Sequence, residues 1–175
     1  MPVRTRFPVV FLSAFVFLFL HSVPSCATPR TVEGEVAQVA DGDTFTLVTR
    51  EGTKLKVRLY GIDAPEIRHE MLPGQPYGKE ARAALTALAL GRRVTVEIVD
   101  IDTHKRMVGI VRRGGEDINL AMVRSGYAWA YRRYLSAPYA SEYIAAEKEA
   151  RSRRLGIWKQ ANPDPPWNFK RRNRH

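Results

Sequence analysis

The chain has 175 residues, with 28 lysines and arginines against 18 acidic residues and a formal charge of +10. That length suits one domain around a single buried core, and the basic excess favours a polyanionic partner such as nucleic acid. One cysteine excludes an intrachain disulfide, and the scattered histidines exclude a zinc site of the cysteine–histidine kind.

The amino terminus reads as an export signal, residues 1–27. Arg4 and Arg6 precede an apolar run from Pro8 to Leu20 broken only by Ser13, and Ser25-Cys26-Ala27 offers small residues for cleavage. The run is far short of the ~20 residues of a membrane-spanning helix, so no stable span is expected. Cleavage after Ala27 removes two arginines and no acid, leaving a mature chain of charge +8 that begins near Thr28. Cys26 also stands where a lipoprotein signal places its acylated residue, although Pro24 departs from that pattern. The leading expectation is a secreted or periplasmic monomer, with a lipid anchor at Cys26 as the alternative.

The domain is expected over residues 28–159. Thr31 to Val39 alternates loosely and Asp41-Gly42 reads as a hairpin turn into Phe45–Thr49. After a turn at Glu51-Gly52, Leu55, Val57 and Leu59 alternate with Lys56, Arg58 and Tyr60, which puts Arg58 on the face opposite the core. Pro65 ends this third strand, and Met71 to Tyr77 is a loop with two prolines and a glycine. Lys79 to Leu90, rich in alanine and leucine and stopped by Gly91, predicts a helix. Val94, Val96 and Ile98 mark a fourth strand and Met107 to Val111 a fifth; Ile118 to Ser125 predicts a short helix before Gly126. Pro138 to Arg154 predicts a final helix, with Ser136 or Ser141 as caps. Five short strands with about three helices inserted late predict an α+β protein built on a small closed barrel of the oligonucleotide-binding type. Residues 160–175, with three prolines and then Lys170, Arg171, Arg172 and Arg174, are expected to be a basic disordered tail.

Chemistry concentrates in the meander. If its strands pair, the turn carrying Asp43 and the strand end carrying Asp63 converge. Calcium takes several oxygen ligands at ~2.3–2.6 Å and accepts carboxylates, backbone carbonyls and water. Asp43, Asp63 and a carbonyl near Ala64 partly meet that need. Glu66 lies three residues further on, placed to orient or deprotonate a water near such a metal. Arg58 and Arg106 stay protonated and match a phosphate bidentately, which suits them to the charge that develops in phosphodiester cleavage.

The segments Asp41-Gly42-Asp43-Thr44, Arg58 to Glu66, Tyr77 to Ala81, Asp102 to Arg106, Gly126 to Trp129 and Leu155 to Trp158 occur in that order. Together they resemble the successive motifs of the staphylococcal nuclease (thermonuclease) family over about residues 30 to 158. The resemblance implies a calcium-dependent phosphodiesterase that cuts DNA and RNA to leave 3′-phosphate ends. It matches Asp43 and Asp63 to the calcium carboxylates, Ala64 to the carbonyl ligand, Arg58, Glu66 and Arg106 to the catalytic trio, and Asp41 to an acid behind the metal. His104 and Lys105 replace a tyrosine and glycine common before the second arginine, and Thr103 stands where a phosphate-contacting lysine can occur. Tyr134 fits one substrate-facing tyrosine, and Arg132, beside Tyr131, occupies the place of the other. Tyr134 and His104 are thus candidate substrate contacts. The rival reading is a barrel of this fold that only binds nucleic acid or protein, and it would be expected to have lost a metal carboxylate or an arginine.

Overall fold

A computed structural model of the chain describes residues 30–68 and 73–173. The expected leader 1–27 with Cys26, together with His69 and His175, lies outside the described residues.

Strands β1 (Thr31–Val39), β2 (Thr44–Thr49) and β3 (Lys54–Leu59) form the antiparallel meander, with Phe45 opposite both Val39 and Val57. Next come β4 (Ile62–Asp63), α1 (Gly78–Ala89), β5 (Arg93–Ile101), β6 (Met107–Arg113), β7 (Glu116–Asp117) and α2 (Ile118–Arg124). The chain continues through β8 (Trp129–Ala130), α3 (Ala140–Ser152), a 3₁₀ turn at Gly156–Lys159, and α4 (Pro166–Arg172). The long strands lie in the order β3-β2-β1-β5-β6, and parallel pairing of β3 with β6 closes them into a five-stranded mixed barrel. The α+β barrel of the oligonucleotide-binding type is therefore present, with four α-helices among the described residues.

Alternation in sequence becomes alternation in space. Val36, Phe45, Leu47, Val57, Val94, Val96 and Val111 are fully buried inside the barrel. Each contributes roughly 1.5–3 kcal/mol by leaving water. Helix α1 presents Ala81, Leu85 and Ala89, four residues apart, to the same core, and α3 adds Tyr143 and Ala146 to it, while Ala150 packs in a second cluster with Trp129, Ile157 and Trp158. Asp117 caps α2 by accepting the Leu120 N–H at 2.9 Å.

Two expectations are corrected. Neither Ser136 nor Ser141 caps α3: Tyr139 holds that position without a side-chain bond, and the Ser136 hydroxyl instead meets the Tyr60 hydroxyl at 2.9 Å. The stretch after residue 159 is not uniformly disordered, because Pro166–Arg172 is helical. Pro166 sits in the first turn, where its fixed φ and missing N–H cost nothing. Trp167 stacks on Tyr131 with ring centroids 4.9 Å apart and planes within 3°.

Candidate active site

The β1–β2 turn sets the site. Asp41 Oδ1 accepts the Asp43 N–H at 3.0 Å, bending the chain so that Asp43 points inward. A Cβ on Gly42 would stand 2.7 Å from the Cβ atoms of both Ala64 and Ala81, so close approach requires glycine here. Asp43 is only 2% exposed. Its Oδ1 accepts the Thr44 hydroxyl at 2.8 Å, its Oδ2 accepts the Ala64 N–H at 3.3 Å, and its carbonyl accepts the Leu59 N–H at 2.9 Å.

Arg58 pairs with Thr44 across β2 and with Val108 across β6. Its guanidinium spans both aspartates: Nη1 reaches Asp43 Oδ1 at 3.2 Å, while Nη2 lies 3.1 Å from Asp43 Oδ2 and 2.7 Å from Asp63 Oδ1. Asp63 is fixed on β4 by pairing with Trp129 of β8 and is 1% exposed. Glu66 follows in a segment held by Gln75, whose Oε1 accepts the Glu66 N–H at 3.0 Å and whose own N–H donates to the Glu66 carbonyl at 2.8 Å. Gly78, which opens α1, lies so near the Glu66 carbonyl that a side chain there would collide with it.

Arg106 precedes β6 by one residue. Because Val108 stands opposite Arg58 and side chains alternate, Arg106 shares the face of Arg58. Asp102 fixes it: Oδ2 accepts from Arg106 Nε at 2.7 Å and pairs with Nη2 at 2.7 Å, while Oδ1 accepts the Arg106 and His104 N–H groups at 3.0 and 2.9 Å. Lys105, where the resemblance would place glycine, takes a left-handed φ of 59° to close this turn.

One cleft of about 1450 Å³ is lined by Asp41, Arg58, Asp63, Glu66, Arg106, His104, Tyr131, Arg132 and Tyr134. That exceeds the ~300–1,000 Å³ of small-molecule sites and suits an extended ligand. Asp43 and Ala64 lie beneath it, both buried. His104 is exposed at its rim, and Tyr134, 59% exposed, meets Tyr131 edge-on at 5.1 Å. The structure thus brings Asp41, Arg58, Asp63, Glu66, His104, Arg106 and Tyr134 to one cleft, with Asp43 and Ala64 buried against it.

Four carboxyl groups crowd this space. Burial, then the neighbouring Asp43, pushes Asp41 up to about 8. Burial likewise raises Asp63 to about 6, in spite of Lys170 and Arg58. Asp43 goes the other way: burial raises it, but Arg58 and then Lys170 more than reverse that and hold it below the usual carboxylate range. Excess buried negative charge of this kind is relieved by an added cation, and the donors are hard oxygens. Among the described residues no three His, Cys, Asp or Glu side chains form a ready-made metal cage. A calcium site completed by a carbonyl and water requires no such cage, and the residues present fit that ion.

Sequence reasoning missed Lys170. Its Nζ lies 2.9 Å from Asp63 Oδ1 and 2.7 Å from Glu66 Oε1. Burial lowers the ammonium's value, but Asp63, then Asp43 and Glu66, more than reverse this. The charge run Lys170-Arg171-Arg172 reads as solvated tail; the signal available was Pro166-Trp167 just before it, a helix start carrying a large aromatic.

A family profile described as "Staphylococcal nuclease homologue" matches residues 56–160. The chain is similar to "Micrococcal nuclease" of Shigella flexneri, 36% identical over 171 residues that cover 93% of this chain and 92% of that protein. It is also similar to an "Uncharacterized endonuclease" of Haemophilus influenzae, 31% identical over 157 residues covering 90% and 83% of the two chains. Another "Uncharacterized endonuclease", of Escherichia coli O157:H7, is 34% identical over 157 residues covering 89% and 94%.

Proposed function

The chain belongs to the staphylococcal nuclease family, whose members are hydrolases, and on that premise we propose that it is an exported, calcium-dependent nuclease. Its substrates are DNA and RNA, hydrolysed by in-line attack of water to leave 3′-phosphate ends. The observation that supports this most directly is the convergence of Arg58, Glu66 and Arg106 on one cleft above buried Asp43 and Asp63.

Asp43, Asp63 and the Ala64 carbonyl would hold calcium, with Asp41 beside them as an acid near the metal. Calcium, when bound, supplies positive charge to the scissile phosphate. Glu66 accepts a proton from the attacking water, whose oxygen bonds to phosphorus as the bond from phosphorus to the 5′ oxygen breaks. Arg58 and Arg106 take up the charge growing on the phosphate oxygens, and Asp102 keeps Arg106 oriented for this. Tyr134 and His104 meet the nucleotide at the rim. Hard oxygen donors favour calcium over zinc. No helix among the described residues is long and apolar enough to cross a membrane, and the reading of an exported chain rests on the leader 1–27.

The test is cleavage of DNA and RNA by purified mature chain with calcium and with chelator, followed by end-group analysis. Cleavage with calcium that leaves 3′-phosphates is expected. Full activity of metal-stripped protein in excess chelator would overturn the calcium mechanism.

A further inference from the structure

Helix α4 delivers a cation into the carboxylate cluster. Lys170 Nζ bridges Asp63 Oδ1 and Glu66 Oε1 at 2.9 and 2.7 Å, with its side chain only 24% exposed. These are oxygens assigned above to the metal and to the attacking water. Arg58 Nη2 meets the same Asp63 oxygen at 2.7 Å from its fixed place on β3. A calcium ion at ~2.3–2.6 Å from that oxygen could not also share it with the ammonium, since a third positive charge would then stand within a few ångströms.

The helix is tied down at a few points. Trp167 stacks on Tyr131 and meets Trp129 edge-on with centroids 6.3 Å apart. The Asp164 carbonyl accepts from Gln75 Nε2 at 3.1 Å, which links the segment to the Glu66 loop, and Arg172 pairs with Asp164. Yet α4 has seven residues and buries only Pro166 fully. So short a helix has little stability of its own and persists only while docked.

We propose that Lys170 is an internal competitor for the metal site and that α4 is a displaceable latch over the cleft. In the metal-free chain the ammonium neutralises Asp63 and Glu66. Calcium must expel it, and Trp167 then leaves Tyr131 and opens the cleft beside Tyr134. The proposal rests on the calcium reading above and adds what sets the apparent affinity: the intrinsic constant divided by the fraction of molecules with the latch open.

The experiment is calcium titration of the mature chain by calorimetry in the absence of nucleic acid. Lys170→Met, which keeps the apolar stem, and a chain ending at residue 163 should both bind calcium roughly tenfold tighter than wild type, as for a latch open about one-tenth of the time. Arg171→Ala, a charge removed from the same helix without touching the carboxylates, should change the constant less than twofold. Calcium should also alter tryptophan fluorescence in wild type, and Trp167→Phe should reduce that change to what Trp129, its edge-on neighbour, still reports. Equal or weaker binding by both folded Lys170 variants would overturn the latch while leaving the calcium site standing. Equal tightening by Arg171→Ala would overturn it in favour of general charge. Failure of every chain to bind calcium would remove the calcium site and the latch with it.

Discussion

Arg58 and Arg106 share a face but are held in different ways, and their variants should differ accordingly. Arg58 is shared between two buried aspartates, whereas Arg106 is bonded to the partly exposed Asp102. Lysine keeps the charge of either but loses the planar fork. Arg58→Lys, Arg106→Lys and Glu66→Gln should each lower turnover by about 10²–10³-fold, the scale for losing one transition-state donor. Thermal unfolding in calcium should change little for Arg106→Lys. An arginine variant that keeps most of its turnover would lose its catalytic role. The carboxyls supply a second prediction at this scale. Asp41 at about 8 and Asp63 at about 6 both lie above the ordinary 3.8. Between 3.8 and those values the folded chain binds more protons than the unfolded one, so metal-free stability should fall as pH rises through that window. Calcium needs the charged forms, so its affinity should rise from pH 6 to pH 8, with release of about one proton near pH 7. Melting temperature against pH with and without chelator, and calorimetry in buffers of different ionisation enthalpy, read both; flat profiles would refute the assignment.

The elements explain why those residues meet. Asp43 ends the turn just before β2, Asp63 lies on β4, and Gly42 lets the turn between β1 and β2 rest against Ala64 and Ala81. Gly42→Ala inserts a methyl at 2.7 Å from two neighbours, so the turn must shift. It should cost about 1–3 kcal/mol of stability, the range for overpacking, and weaken calcium binding by displacing Asp43. Denaturant unfolding together with calcium titration checks this, and unchanged values for both would show that the turn yields freely. Much of this was legible beforehand. Val94, Val96 and Ile98 alternate clearly enough to declare β5, and a meander through Asp41-Gly42 and Glu51-Gly52 brings Asp43 towards Asp63 whatever the rest of the fold does. What could not be read was set by partners distant in sequence. Ser136 looks like a cap until Tyr60, 76 residues earlier, takes its hydroxyl. Helix α4 reads as tail because its order comes from Tyr131, Gln75 and the Asp63–Glu66 pair rather than from its own composition. Gly42 reads as a turn glycine, yet what requires it is the proximity of Ala64 and Ala81.

At the scale of the whole molecule, charge and architecture serve the same end. The proposed leader, residues 1–27, carries two of the basic residues, and intact-mass measurement on exported material should find a chain beginning near Thr28, or an acylated Cys26 if the signal is of the lipoprotein kind. A mass that includes Met1 would refute export by this leader. Cleavage after Ala27 would leave a charge of +8, and Lys56, Arg106, Arg132 and Arg133 line the same cleft as the carboxylates. On the proposed function, a basic rim around an acidic floor would draw in a polyanion while reserving the floor for a divalent cation. Binding should therefore release counterions from the nucleic acid. With roughly three to five phosphates contacted, the logarithm of the association constant should fall with the logarithm of salt at a slope of about −2 to −3.5 for single strands, at ~0.7 per contact. Glu66→Gln is the chain to use, in calcium, because its slowed cleavage leaves the nucleic acid intact through a short binding measurement. Arg132→Ala and Arg133→Ala together should flatten the slope by about 0.7 to 1.4, since each arginine that meets a phosphate contributes close to one contact. A slope near zero for the parent chain, or one that the double variant leaves unaltered, would show that the nucleic acid does not lie along this rim.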